Sequence, residues 1–136
     1  MLPDLYILDA HTLLWFLDGN QKLGRRVAQI LNDQSTQFLL PAIALAEALF
    51  VLEKGRTPYT ITEQELLDAI GDDARIKIFP LTDEVITTTL ACKAIPEMHD
   101  RQIVATALVA QRAGAQVTIL TRDRNISQSR LIPALW

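Results

Sequence analysis

Short apolar segments recur at Leu5–Leu8, Gln37–Leu40, Ile76–Phe79 and Val117–Leu120, each separated from the next by helical periodicity. Runs of that length, apolar on both faces, predict strands of a parallel sheet covered on both sides. A shorter pair, Leu131–Ile132, predicts an edge strand that closes the chain. Between these runs, Ala10–Leu17 reads as a helix stopped by Asp18-Gly19-Asn20, and Lys22–Asn32 places Leu23, Val27, Ile30 and Leu31 on one face. Ala42–Lys54 meets Gly55, which suits a C-terminal cap. Thr62 with Glu65 forms a capping-box pattern opening a helix to about Ile70. Thr82 caps another, whose first turn holds Asp83 and Glu84 in favour with the helix dipole. His99–Arg112 ends at Ala113-Gly114. Alternating strands and helices, with no repeat or linker, predict one domain over residues 1–136 with three α/β/α layers.

Composition narrows the class. The chain has 136 residues, 49% hydrophobic and 21% charged, enough to bury a real core. No apolar run approaches the ~20 residues that cross a bilayer, and no basic segment precedes an apolar stretch at the N-terminus. Neither a membrane span nor a signal peptide is therefore expected. The single cysteine, Cys92, excludes an intrachain disulfide, reads as core filler and fits a reducing compartment, so the expected location is cytoplasmic. A net charge of −3 argues against gripping nucleic acid by bulk positive charge. Even so, Arg101, Arg122, Arg124 and Arg130 gather near two acids of interest and suggest a local positive rim.

Four acids stand where apolar segments end or are interrupted. Asp9 follows the first strand, Glu47 interrupts Ile43-Ala44-Leu45-Ala46, Asp100 opens an otherwise apolar helix, and Asp123 follows the fourth strand. Such carboxylates are costly unless something binds them. Singly, each has a plainer explanation. Asp9 and Asp100 can cap helices, Asp123 can sit in a solvated Arg122-Asp123-Arg124 turn, and Glu47 can pair with an arginine. Together they fall on elements that a parallel sheet gathers at the carboxyl ends of its strands, where ligands collect. That combination points to one divalent-metal site. Carboxylates without a histidine–cysteine grouping favour Mg2+ or Mn2+ over zinc.

The motifs Leu8-Asp9-Ala10-His11-Thr12-Leu13-Leu14-Trp15, Ala46-Glu47, His99-Asp100-Arg101 with Ile103–Leu108, and Leu120-Thr121-Arg122-Asp123 resemble the PIN-domain family. More narrowly, they are similar to the VapC-type ribonuclease toxins of bacterial toxin–antitoxin pairs, and Ile132-Pro133-Ala134-Leu135-Trp136 carries the likeness to the C-terminus. The resemblance implies a central, mainly parallel sheet of about five strands, one or two Mg2+ (magnesium) or Mn2+ ions, endonucleolytic cleavage of RNA, an antitoxin partner and a homodimer. By position, Asp9, Glu47, Asp100 and Asp123 match the family's four acids, and Thr121 matches a hydroxyl residue often found before the fourth. The chain departs at Ala10, where relatives often carry threonine or serine, and in lacking a serine before Glu47. Neither departure touches a ligand.

On this reading Asp9 and Asp100 are the principal ligands, while Asp123 and Glu47 bind a second ion or orient the attacking water. Arg101 and Arg122 contact phosphate, with Thr121 as a hydrogen-bonding neighbour. His11 and His99 are rim residues, Trp15 and Trp136 pack, and the Leu45, Leu49 and Leu52 stripe is core or dimer surface. Two other enzymes with an acid after the first strand fit poorly. A phosphatase of the haloacid dehalogenase type needs a second aspartate where this chain has His11. A receiver domain needs an aspartate after the third strand, where the chain reads Phe79-Pro80-Leu81. The alternative that stays open is a non-catalytic PIN-like module that binds an antitoxin or RNA.

Overall fold

The computed structural model describes residues 4–19, 22–55 and 58–136. Its five strands are β1 (Asp4–Leu8), β2 (Phe38–Pro41), β3 (Ile76–Phe79), β4 (Gln116–Leu120) and β5 (Ala134–Leu135). They form one sheet in the order β3-β2-β1-β4-β5, and every pairing is parallel. Consecutive residues Ile7 and Leu8, and likewise Ile119 and Leu120, are buried. Neighbouring strand residues point to opposite faces, so both faces of the sheet's centre are covered.

The helices are α1 (Ala10–Leu17), α2 (Arg25–Asn32), α3 (Ala42–Lys54), α4 (Glu63–Asp72), α5 (Asp83–Thr88), α6 (Met98–Arg112) and α7 (Arg124–Ser129). A 3-10 turn over Thr89–Cys92 continues α5. Local chemistry accounts for most of their ends. Thr62 and Glu65 form the reciprocal capping box at α4. Thr82 accepts from the Val85 amide at α5. Gly55, at φ 63°, closes α3 in the left-handed conformation. Helix α6 buries Ile103, Val104, Ala105 and Ala107 and packs against β4 and β2. Cys92 is free and buried, as a core filler should be. Among the described residues no helix is long and apolar enough to cross a membrane.

Apart from shifts of a residue or two at other ends, three departures from expectation stand out. The edge strand is Ala134–Leu135 instead of Leu131–Ile132. Arg130 takes a left-handed φ of 56° after α7, Ile132 drops into the core, and the carbonyls of Pro133 and Leu135 accept from the amides of Ile119 and Thr121. Helix α2 begins at Arg25, not Lys22, because Gly24 is its N-cap. Gly24 lies so close to the C-terminus that a Cβ there would stand 2.4 Å from the Trp136 carbonyl carbon. Helix α7 carries no periodicity to betray it, since Ile126 is its only buried residue. Asn20, the last residue of the expected first turn, lies outside the described residues.

Candidate active site

Strands β1 and β4 pair in register from Asp4 and Gln116 to Leu8 and Leu120, so Asp9 and Thr121 leave the sheet side by side. The Thr121 hydroxyl donates to Asp9 Oδ2 and accepts from the Asp123 amide at 3.0 Å. Asp9 Oδ1 accepts from the Thr12 amide at 2.8 Å, which caps α1, and the Thr12 hydroxyl donates to the Leu120 carbonyl. Asp123 caps α7 by accepting from the Asn125 amide at 2.7 Å. The plain capping role expected of Asp9 is therefore real, Asp123 caps a helix instead of sitting in a plain turn, and both roles coexist with a place in the site. A carboxylate has about four lone-pair positions, so these bonds leave acceptor capacity on both.

Asp100 is the third residue of α6, and Glu97 caps that helix by accepting from the Asp100 amide at 3.1 Å. Glu47, half-buried, projects from the middle of α3. Asp9, Glu47, Glu97, Asp100 and Asp123 all line one cleft of about 420 Å³ at the carboxyl edge of the sheet. His11, Trp15 and Arg122 share its wall.

The cleft disfavours its own negative charge. Burial raises the Asp9 pKa, against opposing hydrogen bonds from Thr121 and Thr12. Asp100 is pushed up to about 7, first by burial, then by the charges of Asp123 and Glu97, a carboxyl–carboxyl hydrogen bond with Asp123, and the charge of Glu47. Burial also raises Glu47, partly offset by His99 and His11. A cation in the cleft would relieve all three.

Whether these residues suit a divalent ion can be judged from their chemistry and spacing. The donors are hard carboxylate oxygens, and Asp123 stands near enough to Asp100 to disfavour its charge. Among the described residues, however, no three His, Cys, Asp or Glu side chains already stand close enough to share one ion. Mg2+ usually keeps several waters and takes one or two carboxylates directly, so acids spaced around one cleft fit it.

Not every candidate reaches the cleft. The Arg101 guanidinium donates to the carbonyls of Ile95 and Lys93, tying down the loop before α6 instead of lining the wall. Arg122 does line it, with its guanidinium 5.8 Å from the centre of the Trp15 ring. His99 bonds Glu97 at 3.0 Å. Glu97 itself was not singled out from the sequence, although an acid three residues before Asp100 has cap spacing that can be read. Tyr59 had no such signal. Its hydroxyl meets His11 Nδ1 at 2.8 Å, and burial, then the charges of Asp9 and Asp18, push its pKa up to about 12.

A comparison with curated protein sequences finds no match. Among solved structures, the chain is similar to VapBC2 from Rickettsia felis bound to a promoter DNA fragment, at 14% identity over 96% of this chain and 97% of that one, with a TM-score of 0.66. It is similar to VapBC-1 from nontypeable Haemophilus influenzae at 15% identity over 96% of each chain, TM-score 0.61. It is also similar to VapC20 from Mycobacterium tuberculosis, described as a Sarcin-Ricin loop cleaving toxin, at 14% identity over 92% of this chain and 95% of that one, TM-score 0.61. Identities this low speak for a common fold alone. The family model for the PIN domain, by contrast, matches residues 6–130 of the sequence itself, and the chain belongs to the PIN-domain family.

Proposed function

We propose that this chain is a Mg2+- or Mn2+-dependent endoribonuclease, the toxin of a toxin–antitoxin pair, acting in the cytoplasm on RNA and working as a homodimer. The observation that carries the reading is the meeting of Asp9, Glu47, Asp100 and Asp123 in one cleft at the carboxyl edge of the sheet. Membership of the PIN family supports a nuclease, and the VapBC and VapC structures with this fold support the toxin assignment and an antitoxin partner. The RNA-cleaving description of VapC20 favours RNA over DNA.

Asp9 and Asp100 would hold the first ion, with Asp123 and Glu47 serving a second ion or the attacking water. When bound, the metal supplies positive charge for the phosphate and lowers the pKa of water. The chain's own groups do the rest. Thr121 holds Asp9 in place, Glu97 fixes the first turn of α6 beneath Asp100, and Arg122 offers positive charge to a phosphate at the rim.

The second reading is a binding module without catalysis. Incubating the purified protein with labelled RNA and Mn2+, then with chelator, separates the two. Cleavage that chelator stops supports the nuclease; RNA or antitoxin binding with no metal-dependent cleavage supports the module.

A further inference from the structure

The ring of His11 lines the cleft with the acids and is exposed, yet it is held in place. Its Nδ1 shares the 2.8 Å hydrogen bond with Tyr59, and the two rings stack with centroids 6.2 Å apart and planes 25° from parallel. Trp15, one turn further along α1, lies 5.7 Å from His11 and 6.4 Å from Tyr59. Trp136 meets the far side of the cluster, its ring 5.4 Å from Trp15. The Trp15 Nε1 is buried with no hydrogen-bond partner among the described residues. Arg122 lies against the Trp15 ring. An exposed imidazole braced by a residue 48 positions away is more than core packing requires.

Building on the ribonuclease reading, we infer that His11, braced by Tyr59 and backed by Trp15, is a stacking ledge for an unpaired nucleobase next to the phosphodiester to be cut. An aromatic face takes any base, so the ledge selects for an unpaired nucleotide ahead of a particular sequence. Bases inside an A-form duplex are stacked on one another and do not offer that face. The cleft, of about 420 Å³, has room for a nucleotide beside the acids. Tyr59 acts as a positioning residue, since it touches the imidazole and does not line the cleft.

The test compares two single-stranded RNAs of one sequence, one of them lacking the base beside the mapped cleavage site. With Mn2+, the wild-type protein should cleave the abasic RNA about tenfold less efficiently, mainly through KM. Tyr59→Leu should lose that discrimination, whereas Tyr59→Phe, which keeps the ring, should retain most of it. His11→Ala, at an exposed position, serves the same comparison if Tyr59→Leu folds poorly. Of the chain's two tryptophans, Trp15 lines the cleft and Trp136 packs against it, so single-stranded RNA should quench their emission and duplex RNA should not. Equal cleavage of the two RNAs by the wild type, or a folded Tyr59→Leu that discriminates like the wild type, overturns the ledge while leaving the nuclease standing. Absence of any metal-dependent RNA cleavage overturns the nuclease and the ledge with it.

Discussion

Thr121 donates its hydroxyl to Asp9 from 112 positions further along the chain, because β1 and β4 run in register to Leu8 and Leu120. The same hydroxyl accepts from the Asp123 amide, so one buried oxygen links the two acids that follow these strands. Thr121→Val keeps the shape and removes both bonds. It should cost about 1–3 kcal/mol of stability and lower kcat by loosening Asp9. Thermal melting and single-turnover cleavage would check this; unchanged values in both would mean the bond matters to neither fold nor site.

Asp9→Asn separates capping from chemistry. Asparagine caps a helix as well as aspartate does and carries no charge into the buried position. The variant should melt no lower than the wild type in chelator, lose most of the stabilisation that Mn2+ confers, and cut no RNA. An Asp9→Asn protein that cuts at the wild-type rate would sink the metal mechanism.

Stability should fall as pH rises from about 4 to 7 when no divalent ion is present. Asp9, Glu47 and Asp100 have raised pKa values, so across that window the folded chain holds protons that the unfolded chain has released. Binding more protons when folded makes stability decline with pH. Asp33 and Asp73 run the other way, but their lowered values act below their ordinary 3.8, where protonation removes their contribution. Mn2+ should raise the melting temperature most at the alkaline end, because it competes with those protons. A melting temperature in chelator that climbs between pH 5 and pH 8 would contradict the direction.

The two arginines flanking the acids should behave differently. Arg122→Ala removes a cation from the cleft wall and should raise KM for RNA roughly tenfold with little change in stability. Arg101→Ala frees the Ile95 and Lys93 carbonyls and should instead cost about 1–2 kcal/mol, with KM near wild type. Equal effects of the two on KM would show that Arg101 also reaches the substrate.

Much of the architecture could be read from local chemistry alone. Apolar runs such as Leu5–Leu8 and Val117–Leu120 become strands because only a covered sheet satisfies segments apolar on both faces. Thr62 with Glu65, Thr82 and Gly55 set helix ends through bonds and backbone angles made within a few residues. The order of Asp9, Glu47, Asp100 and Asp123 along the chain was likewise open to inspection. What only the tertiary structure decided is who meets whom. Arg101 turns to backbone carbonyls, Glu97 joins the acids, Tyr59 braces His11, and β5 forms at Ala134–Leu135 because Ile132 is drawn into the core. Periodicity and capping act over a single turn or strand, whereas these contacts depend on register and packing between segments dozens of residues apart, which no local pattern encodes.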